Sequence, residues 1–198
     1  DFCTLEQQNY LSNVVAQKKS IVVTGGTSTG KTTFLNSLLA LLNDKERIIT
    51  IEETAELTTS NKHHLRLLAK HENTEGKGGI SLSDLVKASL RMRPDRIVVG
   101  EVRSKEAFDL IQALNTGHSG SMCSIHSNGP EELMHRLTSL AMFAHPGMDF
   151  DSLLKQAYFG IDIIVCLSRD LNGKRYVSSI HEVKAENDYE IEEVCKNV

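Results

Sequence analysis

The sequence predicts an α/β domain: a mainly parallel β-sheet flanked by helices and ending in a β-hairpin. Three observations carry that reading. Short apolar runs alternate with helical repeats along the chain, the pattern made when parallel strands are joined by crossover helices. A complete G-x-x-x-x-G-K-T run, Gly25-Gly26-Thr27-Ser28-Thr29-Gly30-Lys31-Thr32, stands between one such strand and the helix that follows it. With 198 residues, 40% hydrophobic and 24% charged, the chain has the length and composition for one sizeable core.

The elements follow in order. Residues 4–18 read as a lead-in helix with Thr4 as its N-cap. Ile21-Val22-Val23 is a continuous apolar run and gives a buried first strand over 21–24. Further strand-like runs occupy 47–52, 96–100, 121–126, 161–167 and 175–183. Helical patterns occupy 31–42, 82–92, 104–115, 130–143 and 151–158. Ser81-Leu82-Ser83-Asp84 has the form of a capping box, with Asp in place of Glu or Gln at its fourth position. Pro130 suits the first turn of a helix, on which Leu133, Leu137, Leu140 and Ala141 share one face. Leu171-Asn172-Gly173-Lys174 is a turn between the last two strands, hence the terminal hairpin. Residues 70–80 are polar and glycine-rich, which predicts a mobile loop or a loose hairpin. The expected organisation is one domain, with a lead-in over 1–19, a core over 20–185 and a tail over 186–198.

Bulk properties exclude several classes. The net charge is −4 with no long basic block, aromatics are 5% and there is no tryptophan, which argues against a constitutive nucleic-acid binder. No run approaches the 18 or so apolar residues of a membrane-spanning helix. The start, Asp1-Phe2-Cys3, is neither a signal peptide nor a natural initiator, so a fragment is expected. Cys3, Cys123, Cys166 and Cys195 form no C-x-x-C pair, which points away from a zinc knuckle or dithiol site. Cys123 and Cys166 lie in apolar strand runs and are expected to be reduced core residues, in keeping with the cytosol.

The glycine-rich run carries chemistry because of where it stands. Its glycines let backbone N–H groups curl around a phosphate, and the following helix adds the partial positive charge of its N-terminus. The amides over 26–32, with Thr33 just behind, form the cradle. Lys31 reaches the β- and γ-phosphates, and the Thr32 hydroxyl is placed to hold Mg²⁺. Hydrolysis further needs a carboxylate that orients water. Two acidic strand ends offer one, at the sheet edge where α/β folds collect ligands. Glu52-Glu53 ends Ile48-Ile49-Thr50-Ile51, with Glu56 close behind, and Glu101 ends Ile97-Val98-Val99-Gly100. Glu101 is also a candidate Mg²⁺ contact.

His118 and His126 bracket the strand around Met122-Cys123-Ser124-Ile125, a spacing unlike a metal pair on one helix turn. His126 stands at the C-terminal end of its strand, on the same edge as Glu101, where it can sense or contact a γ-phosphate; His118, in a glycine loop, can do so from a different position. Either is open to a purely structural role. His63, His64, His71, His135, His145 and His181 belong to no constellation. Arg91, Arg93, Arg96 and Arg103 surround the Glu101 strand. Most arginines are solvated or paired to surface acids, yet a phosphoryl-transfer site often needs one to neutralise transition-state charge, sometimes from a neighbouring subunit.

Together these segments resemble the secretion ATPase superfamily of type II secretion, type IV secretion and type IV pili. Four boxes carry the resemblance, in order, over about residues 20–185. They are the Walker A run Gly25 to Thr32, the acidic box Ile49 to Leu57, the Walker B run Arg93 to Arg103, and the histidine box Gly117 to His126. Asn73 to Gly78, Leu90 to Arg96 and Asn115 to His118 are most similar to the tight-adherence pilus and type IV secretion branches. The four-cysteine metal module usual in the type II branch is absent, and Glu53 replaces a common Asp.

The resemblance implies a RecA-like P-loop ATPase that binds ATP and Mg²⁺ and works as a homo-hexamer on an inner-membrane secretion or pilus platform. It implies a cytoplasmic location, peripheral to the membrane's inner face. It gives Glu101 first place as water-orienting carboxylate and Glu52 second, with Glu53 nearby. His126 and His118 would couple nucleotide state to subunit motion, and Arg91, Arg93 and Arg103 would make intersubunit or γ-phosphate contacts. The chain would be the C-terminal motor domain without the family's N-terminal domain, and weakly active alone. Two competing readings stay open: a RecA-like nucleic-acid motor, and a nucleotide-binding assembly module with little hydrolysis.

Overall fold

The computed structural model describes residues 2–185 and 189–196. The elements run α1 (Leu5–Ala16), β1 (Ile21–Gly25), α2 (Lys31–Leu39), β2 (Ile48–Glu52), β3 (His64–Leu68), α3 (Leu82–Ser89) and β4 (Arg96–Val102). They continue as α4 (Glu106–Asn115), β5 (Met122–Ile125), α5 (Pro130–Met142), α6 (Phe150–Gly160), β6 (Ile163–Arg169), β7 (Arg175–Lys184) and β8 (Glu190–Lys196). One sheet takes the order β3-β2-β4-β5-β1-β6-β7-β8. All pairings from β3 across to β6 are parallel, and β7 and β8 add antiparallel strands. This is the mainly parallel α/β sheet that the alternating pattern implies, with its hairpin between β6 and β7.

Local chemistry explains the boundaries. Thr4 caps α1 in a reciprocal box with Gln7, and Ser81 caps α3 in one with Asp84. Pro130 opens α5. The stretch 70–80 is a loose hairpin, closed by a Lys70–Ile80 bridge. Two strands were not foreseen. His64-Leu65-Arg66-Leu67-Leu68 forms edge strand β3, whose residues are half-buried or exposed and so show no buried run. Glu190–Lys196, in the segment expected as a tail, pairs with β7 as β8. The tail positions 186–188 and 197–198, and Asp1, lie outside the described residues.

The apolar runs of β1, β2 and β4 are buried on both faces and feed two cores. Val22, Ile49, Ile51, Ile97 and Val99 pack with α3, α4, α5 and α6, whereas Ile21, Val23, Ile48 and Val98 pack with α1 and α2. Helix α1 is tied to β7: the Gln7 amide donates to the Val177 carbonyl, and Val177 N–H donates to the Phe2 carbonyl at 2.8 Å. At the sheet's lower end the buried Arg96 guanidinium meets Glu46 and the carbonyls of Gly120 and Val15. Among the described residues no helix is long and apolar enough to cross a membrane. All four cysteines are free, with Cys123 and Cys166 in the core.

Candidate active site

The loop after β1 is shaped by three residues in the left-handed half of backbone space: Gly25 (φ 153°), Ser28 (φ 60°) and Gly30 (φ 94°). Gly25 has no room for a side chain, since a Cβ there would stand 2.4 Å from the Leu167 carbonyl oxygen. Gly30 is the N-cap of α2 and contributes no side-chain cap, so the helix's first amides face the loop. Thr29 Oγ1 donates to the Gly26 carbonyl at 2.9 Å and stiffens the curl. Lys31 Nζ donates to the carbonyls of Gly25 and Gly26, each at 3.0 Å. Burial lowers the Lys31 pKa, opposed by the nearby Glu101 charge.

The acids converge from two neighbouring strands. Glu52, the last residue of β2, is buried. Its Oε1 accepts from the amides of Glu56 (2.9 Å) and Leu57 (2.7 Å), which fold the acidic box back over the strand end. Among the described residues its Oε2 has no hydrogen-bond partner, and Arg66 Nε stands 3.7 Å away. Glu101 reaches the cleft by a β-bulge. Between Val99 and Val102 β4 advances three residues while β5 advances two, which turns the Gly100-Glu101 segment. Ser124 Oγ donates to the Gly100 carbonyl at 2.6 Å and fixes the bulge. Gly100 packs against the Glu52 side chain, so the two acids are neighbours. Arg103 donates through Nε to Glu101 Oε2 at 2.8 Å, binds it again through Nη2, and places Nη1 3.4 Å from Glu53 Oε2. The Glu101 hydrogen bond raises the Arg103 pKa.

Two connected hollows result. One, of about 90 Å³, is lined by Thr32, Glu52, Glu53, Glu101 and Arg103. The other, of about 500 Å³, is lined by Ser28, Lys31, Thr32, Thr33, Glu101, His126 and Arg175 among others. Thus the loop, Glu52, Glu53, Glu101, Arg103 and His126 are brought together. Arg91, Arg93 and His118 are not. Arg91 and Arg93 are exposed before β4, at the opposite end of that strand from Glu101, and His118 precedes β5 while His126 follows it. About 20 Å of strand separates Arg91 and Arg93 from the Glu101 end of β4. Arg96 is a buried structural cation. Sequence reasoning missed Ser124 and Arg175. Ser124 lies two positions before His126, on the same face of an extended segment, and that spacing was a usable signal. Arg175 is remote in sequence from every motif and gave none.

The chain belongs to the Type II/IV secretion system protein family, whose profile matches residues 2–191. It is 39% identical over 170 residues to Rv3659c of Mycobacterium tuberculosis, a protein named for conjugal transfer, covering 86% of this chain and 48% of the relative. It is 35% identical over 158 residues to protein VirB11 of Rhizobium radiobacter, covering 79% of this chain and 46% of that protein. The crystal structure of the VirB11 ATPase from the Brucella suis type IV secretion system, in complex with sulphate, superposes with a TM-score of 0.80. That match is 27% identical and covers 89% of this chain and 52% of that one. The chain therefore spans about half the length of the relatives it matches.

Proposed function

We propose that this chain is the motor domain of a traffic ATPase, hydrolysing ATP to drive protein secretion or pilus assembly. One observation carries the proposal: a complete phosphate loop shares a cleft with two carboxylates delivered from β2 and β4. The amides from Gly26 to Thr32 cradle the β-phosphate, and Lys31 leaves its loop carbonyls for the β- and γ-oxygens. Glu101 orients the attacking water by accepting its hydrogen bond. Glu52, with one oxygen held by two amides and the other facing Arg66 without a hydrogen bond among the described residues, is the second carboxylate and sets the floor of the site. Glu53 stands beside them and shares Arg103 with Glu101.

The residues present fit Mg²⁺. The Thr32 hydroxyl, Glu52, whose Oε2 takes part in no hydrogen bond among the described residues, and Glu101 line one small hollow, a set of hard oxygen donors. Among the described residues no cluster of three or more His, Cys, Asp or Glu would hold a metal alone, as suits an ion that arrives with phosphates. When bound, Mg²⁺ neutralises charge on the β- and γ-phosphate oxygens.

His126 and His118 stand at the two ends of β5, a short strand of about 13 Å, and so link the nucleotide cleft to the far edge of the domain. Arg91 and Arg93, exposed on that edge, are left with contacts to a neighbouring subunit, whereas Arg103 serves the cleft. In the full-length protein a homo-hexamer on a membrane platform at the cytoplasmic face, completed by a further N-terminal domain, accounts for surfaces that this half does not use.

The test is a pair of variants in a steady-state ATPase assay. Glu101→Gln lowers turnover about a hundredfold or more and leaves ATP bound. Wild-type turnover in Glu101→Gln, with loss in Glu52→Gln, transfers the water-orienting role to Glu52. Wild-type turnover in both overturns the hydrolytic reading.

A further inference from the structure

The geometry points to Arg175 as a nucleotide-binding residue that holds the α-phosphate, at the end of the cleft opposite the carboxylates. The inference rests on the nucleotide-binding reading above and adds the direction in which the nucleotide lies.

Arg175 opens β7 and lines the larger hollow together with Gly30, Lys31, Thr32 and Thr33. Its Cδ stands 3.5 Å from where a Cβ on Gly30 would be, so the arginine stem lies against the loop's helix-capping residue. The sheet order then sets the direction. Glu52 and Glu101 arrive from β2 and β4, which lie beyond β5 on one side of β1, and Arg175 arrives from β7, which lies beyond β6 on the other. With strands about 4.8 Å apart, β4 and β7 each stand about 10 Å from β1, on opposite sides. A polyphosphate whose γ end meets Glu101 must run its α end toward β7.

Charge supports the assignment. Among the described residues the Arg175 guanidinium makes no side-chain hydrogen bond or ion pair. Arg103 is held by Glu101 and Glu53, Arg96 by Glu46, and Arg169 by the Gly173 carbonyl. Arg175 and Lys31 thus both line the hollow as cations; the other charged side chains that line it, Glu56, Glu101 and Arg103, come from the β2 and β4 side, where Arg103 is already held by Glu101. A planar, permanently charged guanidinium is suited to a phosphate with two free oxygens. The mounting is firm. β7 is locked to β6 through the Arg169–Arg175 and Ser168–Tyr176 pairs, and the Phe2 carbonyl receives Val177 N–H from the chain's start.

A contact at the α-phosphate is the same for ATP, ADP and the transition state, so it supplies uniform binding. The experiment is calorimetric titration of the 198-residue chain and its Arg175→Ala and Arg175→Lys variants with ATP, ADP and pyrophosphate, alongside turnover at saturating ATP. Arg175→Ala is expected to weaken ATP and ADP by one common factor of about tenfold. Pyrophosphate, which fills the β and γ positions, binds unchanged. Turnover at saturation stays within about twofold, and Arg175→Lys recovers part of the loss. Unchanged ADP affinity in Arg175→Ala overturns the inference, as does an equal loss of pyrophosphate, which would place Arg175 at the β-phosphate or in loop shape. A wild-type chain that binds neither ADP nor pyrophosphate overturns the nucleotide reading itself, and the inference with it.

Discussion

Gly25→Ala is the most direct probe of the strand–loop junction. Gly25 ends β1, pairs with Leu167 of β6 and adopts φ 153°. A Cβ built on it stands 2.4 Å from the Leu167 carbonyl oxygen and 2.8 Å from Thr29 Oγ1. Neither neighbour can yield cheaply, because one is strand backbone and the other is the hydroxyl bonded to Gly26. Two costs follow. Backbone strain for a non-glycine residue is about 1–3 kcal/mol. Relief of the clash by parting β1 from β6 leaves a buried backbone group unpaired, again about 1–3 kcal/mol. The sum, about 2–6 kcal/mol, is a large share of the roughly 5–15 kcal/mol that stabilises a domain. With a urea slope of about 2 kcal/mol/M, the unfolding midpoint drops by about 1–3 M. Gly26→Ala is the control: its nearest neighbour is Thr29 Cγ2 at 3.9 Å, and its midpoint moves by less than about 0.5 M. Urea titration followed by circular dichroism reads both. Equal midpoints for the two variants would refute the steric argument.

Further predictions concern the frame beneath the cleft. Glu46→Ala leaves Arg96, 1% exposed, without its carboxylate, so stability falls by about 3–5 kcal/mol in the same titration, and a loss below about 1 kcal/mol would show that the carbonyls of Gly120 and Val15 suffice. His64 and His181 have pKa values lowered by burial, with the Arg66 charge adding to the effect at His64. The unfolded chain therefore takes up protons first, near the ordinary value of about 6.5, and stability is full above that pH and falls as pH drops below it toward the folded-state values. Urea midpoints should decline between about pH 7 and pH 5, and His181→Gln should flatten the decline; an unchanged slope would remove His181 from the account.

Much of the site was legible because its chemistry is contiguous in sequence. The loop from Gly25 to Thr32, and the acids Glu52 and Glu101 ending apolar runs, need only local patterns to be placed on one sheet edge. What escaped depends on tertiary placement. The bulge that turns Glu101 follows from a register shift between β4 and β5, and the residues alone do not announce it. Arg91, Arg93 and His118 stand at the far edge because each precedes the strand whose other end carries Glu101 or leads to His126. β3 and β8 escaped because edge strands bury little: His64 to Leu68 is half-buried or exposed, and in β8 Cys195 alone is buried. Arg175 belongs to a hairpin that composition marks as an ordinary turn, and only the pairing of β7 beside β6 carries it to the loop.

The central proposal is hydrolysis at the phosphate loop by a chain that works in an assembly of subunits. It is tested most directly by Mg²⁺-dependent ATP hydrolysis measured against protein concentration, with Lys31→Ala in parallel. The account predicts activity that is lost in Lys31→Ala and whose specific value rises with concentration. Hydrolysis that survives Lys31→Ala, or a Lys31-dependent rate per molecule that stays flat with concentration, would contradict it.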